Sequence, residues 1–192
     1  MRSQHDPGDS KYIFCALSAQ KMYAKRKSTT MNQSLRSPEQ LRDLAAAHGI
    51  AATLHPAGRP MPTVEAAAGA LGIPVAAMTK NIVWLAGGTA VLVIAAGLAR
   101  IDDRALAGQL GVGRKKVGLA TPESAYTISG FVVGCMPSFG HRAPLPTLID
   151  TAVAQLDRVY GGTGDPTVLI SLATSDLIRL TGGTVVALTR EG

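Results

Sequence analysis

The stretch Thr79-Lys80-Asn81-Ile82-Val83-Trp84-Leu85-Ala86-Gly87-Gly88-Thr89-Ala90-Val91-Leu92-Val93-Ile94-Ala95-Ala96 decides how this chain is read. From residue 82 to residue 99 it carries no charge and is largely apolar, about as long as a membrane-spanning helix. Gly87 and Gly88 interrupt it in the middle, and β-branched residues (Ile82, Val83, Val91, Val93, Ile94) stand on either side. A Gly-Gly pair between two such runs is a hairpin signal. The stretch therefore predicts two short buried strands, near 79–86 and 89–96, joined by a tight turn.

Working outward, start and stop signals for helices lie on both sides. Ser37-Pro38-Glu39-Gln40 has the capping-box pattern with Pro at the first helical position, Leu41, Leu44 and Ala45 supply an apolar face, and His48-Gly49 supplies a stop. A short strand over 50–54 should follow. Thr63-Val64-Glu65 opens a second helix, rich in alanine and closed by Leu71-Gly72 and Pro74. Asp102 and Asp103 cap a third that stops at Gly111, and Thr121-Pro122-Glu123-Ser124 caps a short fourth. Residues 130–146 are irregular, heavy in Gly and Pro. Beyond them the sequence predicts a strand near 147–150, a polar turn over 161–166, a buried strand over 167–172, a short helix from Ser175-Asp176 to Gly182-Gly183, and a strand over 184–188. Interleaved strands and helices with a hairpin among them predict an α+β fold: a mixed, partly antiparallel sheet with flanking helices, in one domain over residues 34–192. Residues 1–33 show no sustained period, and Met31 reads equally well as an alternative start. They are expected to be a disordered N-terminal extension.

The chain has 192 residues, enough for one domain with a real core, and 46% of them are hydrophobic but only 4% aromatic, so that core is built of small aliphatic side chains. Its net charge of +6 is uneven: residues 1–33 hold six basic side chains against two acidic, leaving thirteen against eleven for the rest. The basic character thus belongs mostly to the extension and says little about the domain. Cys15 and Cys135 lie far apart, which argues against a disulfide framework and for a reducing compartment. The N-terminus lacks the apolar core and cleavage site of a signal peptide. A cytoplasmic protein without a membrane segment is expected.

Common catalytic signatures are missing. No G-x-S-x-G elbow and no G-x-x-x-x-G-K-[ST] loop occurs, and His5, His48, His55 and His141 lack zinc-ligand spacing, so no metal and no cofactor is implied. Two features remain. Lys80 is a lone cation at the start of a very apolar strand: either it snorkels to water, or it stands at a pocket mouth for a phosphate or developing oxyanion. Ser129-Gly130-Phe131-Val132-Val133-Gly134-Cys135-Met136-Pro137-Ser138-Phe139-Gly140-His141 holds an irregular backbone, either a long surface turn or a loop that exposes N–H groups to a ligand. Cys135 as nucleophile with His141 as base is a further arrangement that these residues permit.

The order of motifs over about 60–190 resembles the YbaK/prolyl-tRNA-synthetase-associated editing domain. The resemblance rests on Thr63-Val64-Glu65-Ala66-Ala67 with Leu71-Gly72, then Thr79-Lys80-Asn81, Leu110-Gly111, Arg114-Lys115-Lys116, the stretch from residue 130 to residue 141, and Ala173-Thr174-Ser175-Asp176-Leu177 with Thr181-Gly182. It implies trans-acting hydrolysis of the ester of mischarged tRNA, chiefly tRNA(Pro) carrying a small amino acid such as Ala or Cys. Prolyl-tRNA synthetase is a further partner it allows, and a non-catalytic tRNA- or ligand-binding homologue of the same fold is the alternative. By motif, Lys80 corresponds to the family's functional lysine. The implied substrate-binding set is Asn81, Gly130, Phe131, Gly134, Cys135, Pro137, Phe139, Gly140, His141 and Asp176, and the implied tRNA contacts are Arg114, Lys115 and Lys116. Asp176 reads equally as a helix cap and the basic triplet as a solvated turn. Cys135 stands where the family usually has glycine, and Ser138 where proline is common, so the shape of the amino-acid pocket is this chain's own.

Overall fold

The computed structural model describes residues 36–189; the extension and the last three residues lie outside it. The run that decided the reading folds as the expected hairpin. With β1 (Thr53–Pro56) preceding it, β2 (Thr79–Ala86) pairs antiparallel with β3 (Thr89–Ala96) in continuous register from Thr79↔Ala96 to Ala86↔Thr89. Gly87 and Gly88 take positive φ (58° and 90°) at the turn, a conformation open to glycine at little cost.

The helices start where their caps lie. In α1 (Pro38–Ala47) Ser37 and Gln40 form both halves of the capping box. Thr63 caps α2 (Val64–Leu71), Asp102 caps α3 (Asp103–Gln109) and Thr121 caps α4 (Pro122–Ser129), each through its side-chain oxygen. The remaining elements are β4 (Val117–Leu119), β5 (Thr147–Asp150), a single turn α5 (Thr151–Ala154), β6 (Arg158–Gly162), β7 (Val168–Ala173), α6 (Thr174–Thr181) and β8 (Thr184–Val186). The sequence reading did not foresee β4, α5 or β6 and ran β8 on to Leu188, and other details differ as well. The first strand sits at 53–56 rather than 50–54. α6 begins one residue early with Ala173 at its cap position, so Asp176 is not a cap. Finally, Gly161 and Gly162 are strand, not turn, because β7 offers them backbone partners in Gly161↔Ile170 and Gly162↔Leu169.

Strands divide between two sheets. The larger has the order β4-β2-β3-β5-β8, antiparallel across β4, β2 and β3 and parallel from β3 to β8; the smaller is antiparallel, β1-β7-β6. A parallel bridge, Met78↔Tyr160, joins them at the head of β2. Their inner faces share the main core: Val83, Leu92 and Ile94 from one sheet meet Val159, Ile170 and Leu172 from the other, closed by Leu41 and Ala45 of α1 and Leu177 of α6. A second cluster lies across the large sheet around Trp84, Val93, Leu106 and Leu148, and a third gathers Met61, Ala67, Ala68, Met78 and Leu169, with Tyr160 packed against it. Asp150 is fully buried yet satisfied: it caps α5 through Ala152 N–H and accepts from the Leu188 N–H at 2.8 Å and the Thr189 hydroxyl at 3.2 Å.

Residues 129–140 are not a surface turn. Phe131, Met136 and Phe139 are buried members of the main core. The loop fits because β6 and its continuation present glycines to it. A Cβ on Gly162 would sit 2.4 Å from the Cys135 carbonyl oxygen, and one on Gly164 2.7 Å from the Phe131 ring. Since the obstacle at Gly162 is backbone, Gly162→Ala should lower stability by about 2–3 kcal/mol, whereas Gly69→Ala, which meets open space in α2, should not. Urea unfolding of the two variants checks this.

Candidate active site

The loop is tied back through three consecutive carbonyls. The Cys135 oxygen accepts from the Gly164 N–H (2.6 Å), the Met136 oxygen from Asn81 Nδ2 (2.8 Å) and the Pro137 oxygen from His141 Nε2 (3.0 Å). Asn81 uses both ends of its amide, because its Oδ1 also accepts from the Ser138 hydroxyl at 2.9 Å. A trans peptide sets its C=O and N–H on opposite sides, and no cis bond occurs among the described residues. The N–H groups of Met136 and Ser138 therefore face away from the scaffold that holds the carbonyls. Gly130, Gly134 and Gly140 take positive φ (84°, 95° and 78°), and Gly140 has a second reason to be glycine, since a Cβ there would lie 2.4 Å from Leu41 of α1.

Burial governs the titratable groups beside this loop. His141 packs edge-on to Phe131, 5.8 Å between ring centres, and its pKa falls to about 4 because burial disfavours the imidazolium, the Pro137 carbonyl opposing only in part. It is neutral near pH 7, with Nε2 donating and so unavailable as a base. The Cys135 thiol is pushed up to about 11 by burial and, secondarily, by Asp165. A protonated thiol and an imidazole engaged on a carbonyl do not make an activated nucleophile pair.

Lys80 precedes Asn81 and so points to the opposite face of β2. Its Nζ donates to the Ala99 carbonyl in the turn after β3. Burial lowers its pKa, and the charge of Arg100 adds to that effect. From the Met78↔Tyr160 bridge the parallel strands run the same way, Lys80 two residues along one and Gly162 two along the other. The Cys135 carbonyl lies against Gly162, so the strand carrying Lys80 and the 134–138 loop meet at the C-terminal end of β6. Thr79 seals the junction by donating to the Tyr160 carbonyl at 3.0 Å.

Two predicted groups lie elsewhere. Arg114, Lys115 and Lys116 form a turn whose Lys116 carbonyl accepts from Gly87, at the far end of β2 and about 20 Å from Lys80 along the strand. Arg114 makes only a loose exposed contact with Asp103, 3.5 Å. Asp176 pairs with Arg179 at 2.8 Å, and Arg179 also donates to the His48 carbonyl, which fastens α6 to the C-terminal end of α1. Gly140, by contrast, abuts Arg36, Leu41 and Leu44 towards the other end of that helix.

A family model for the aminoacyl-tRNA editing domain matches residues 58–180, well over half of the chain. The chain belongs to the aminoacyl-tRNA editing domain family. The matched span contains the hairpin, Lys80, the tied-back loop, the β6 glycines and Asp176. A crystal structure of a candidate trans-editing enzyme for prolyl tRNA synthetase is similar at a TM-score of 0.71 and 27% identity, over 82% of this chain and 100% of that one. Hypothetical protein APE2540 gives 0.73 at 23% identity over 78% and 99%, and a chain from epitope grafting by computational design gives 0.72 at 23% over 83% and 100%. At that identity these two show the fold alone.

Residue-type reasoning did not find Gly161, Gly162 and Gly164 as parts of this site. The signal was present as three glycines within four positions, but a turn accounts for them equally until the loop is seen to cross them.

Two outcomes follow from the buried environment. With its pKa raised from 9.0 to about 11, Cys135 should react with iodoacetamide at pH 8 about a hundredfold more slowly in the folded than in the unfolded chain, read peptide by peptide by mass spectrometry. His141 has a folded pKa below its unfolded 6.5, so its contribution is fully present above pH 6.5 and is lost as pH falls towards 4. That loss should be about 2 kcal/mol for a group with some exposure, and His141→Gln should flatten the decline in melting temperature between pH 7 and pH 4.5.

Proposed function

We propose that this protein hydrolyses, in trans, the ester linking a wrongly attached amino acid to tRNA, with tRNA(Pro) carrying a small residue such as Ala or Cys as its substrate. The observation that carries this reading is the tied-back loop. In a chain of the editing family, it turns the N–H groups of Met136 and Ser138 away from the partners of the loop carbonyls, beside the strand that bears Lys80. An aminoacyl ester is already activated, so positioning and oxyanion stabilisation suffice without a strong base.

In the proposed reaction the oxygen of a water attacks the ester carbonyl carbon, and the charge gathering on the carbonyl oxygen is met by the Met136 and Ser138 N–H groups. The carbon–oxygen bond to the ribose then breaks. The ribose oxygen takes up a proton lost by the attacking water, and the amino acid leaves as a free carboxylate. Lys80, as an ammonium, holds the phosphate at the tRNA 3′-end; its carbonyl partner Ala99 keeps it at that position. Asn81 acts through the loop, fixing residues 136–138. Gly130, Phe131, Gly134, Cys135, Pro137, Phe139, Gly140 and His141 shape the floor and wall against the amino acid, and Cys135 narrows the space where glycine would leave it open. One methylene there is worth only about 1–3 kcal/mol, so selectivity is modest and rests on fit. Arg114, Lys115 and Lys116 serve as phosphate contacts remote from the ester, and Asp176 holds the α1–α6 corner behind the pocket. The catalytic unit is a single domain over residues 34–192, working in the cytoplasm beside prolyl-tRNA synthetase.

Incubation with Ala-, Cys-, Ser- and Thr-charged tRNA(Pro), following release of the amino acid, tests the reading. At least one ester should be hydrolysed, Lys80→Ala should lower kcat/KM by about a hundredfold or more, Asn81→Ala should lower kcat with the fold retained, and Cys135→Ala should remain active. Binding of all four without hydrolysis would make the protein a non-catalytic homologue.

A further inference from the structure

The outer face of the small sheet carries a polar cluster outside the site just described. Ser171 on β7 is buried, with 1% exposed, and its hydroxyl lies 2.8 Å from His55 Nε2 on β1 and 3.4 Å from an Arg158 guanidinium nitrogen on β6. The Tyr160 ring tilts against the His55 ring with centres 5.5 Å apart. Arg158 is exposed and forms no ion pair among the described residues, while Asp157, its neighbour in sequence, engages the Thr174 N–H through its backbone carbonyl. The cluster thus joins one cation, one imidazole, one hydroxyl and one phenol ring, with no carboxylate among them.

Two further observations make this corner suited to an anion. Arg158 is in register with Ala173, where β7 runs directly into α6, and that helix starts without a side-chain cap. The Thr174 hydroxyl is buried there without a partner. The uncapped start of α6 is thus set beside Arg158, and the Asp176 carboxylate in its first turn is held by Arg179. Burial, then the charge of Arg158, lowers the His55 pKa, which favours the neutral imidazole beside Ser171.

Position relates the cluster to the ester site. Met78 and Tyr160 both pack with the third apolar cluster, so Lys80, two residues beyond Met78, and Arg158, two before Tyr160, lie on the same side by strand alternation. They stand in opposite directions from the bridge, about 13 Å apart along the strands. We infer that Arg158, supported by Ser171 and His55, forms a phosphodiester-binding site for the single-stranded acceptor end of tRNA, upstream of the 3′-terminal phosphate held at Lys80. Arg158 presents the fork of donors that matches phosphate oxygens, Ser171 fixes the approach of the guanidinium, and the tilted His55 and Tyr160 rings offer a face to a neighbouring base.

The inference rests on tRNA being the ligand, as proposed above, but not on hydrolysis. The test is therefore binding of uncharged tRNA ending in CCA, followed by fluorescence anisotropy over a range of salt concentrations. Arg158→Ala should weaken binding about fivefold and lower the slope of log K against log salt by about 0.7, one single-strand phosphate contact, and Arg158→Lys should restore most of the slope. Arg158 is exposed, so a matching melting temperature will show that the fold is intact. Ser171→Ala, with the charge retained, should weaken binding by a smaller factor and leave the slope. Unchanged affinity and slope in Arg158→Ala overturns the inference. So does a His55 NMR shift on adding inorganic phosphate together with tRNA binding indifferent to Arg158, which would mark a site for free phosphate. Weakened tRNA binding in Arg158→Ala alongside no hydrolysis of any charged tRNA would sink the catalytic reading and leave this site standing.

Discussion

The close passage of the Cys135 backbone over Gly162 is the constraint on which the rest of the site depends. Only a residue without Cβ lets the loop settle there, since a methyl group would stand 2.4 Å from the carbonyl oxygen. Once the loop is seated, its carbonyls reach Gly164, Asn81 and His141, and peptide planarity turns the intervening N–H groups away from those partners. The small sheet is thus more than a cover for the core. Its edge strand is the anvil against which an irregular segment is held in one conformation.

Burial imposes a common electrostatic pattern on the surroundings. It lowers Lys80 and His141 and raises Cys135, so each of these groups is shifted towards its neutral form. Such a site has little use for a strong nucleophile or base. What it offers is oriented dipoles and a half-buried amine, which suits an ester that needs only alignment and charge stabilisation. The polar atoms that are deeply buried here are mostly spent on one another: Asn81 on the loop, Ser129 on Ala125 and Phe131, Asp150 on the end of the chain. The Thr174 hydroxyl is an exception, and it lies at the corner next to Arg158.

Much of the fold could be read from local rules. The Gly-Gly turn placed the hairpin in its full register, and Ser37, Thr63, Asp102 and Thr121 placed four helix starts, because caps and turns are governed by neighbours within four residues. The site was legible in part. Lys80 and the stretch from residue 130 to residue 141 stood out as oddities of composition, and their order with other motifs gave them a family meaning. Asp176 illustrates the limit: its position near a helix start suggested a cap, but the cap falls on Ala173 and the carboxylate serves Arg179.

By itself the sequence determined the α+β class, the hairpin, four helix starts and the identity of an unusual lysine and a glycine-rich loop, all properties set by short-range periodicity and backbone preference. Only the tertiary structure decided that this loop is core rather than surface, that Gly161 and Gly162 belong to a strand beneath it, that Asn81 holds the loop while Lys80 faces the other way, and that Arg114 to Lys116 stand a strand's length away. Those outcomes depend on which segments, dozens of residues apart, come within a few ångströms of one another. Such proximity is settled by packing, and no local pattern records it.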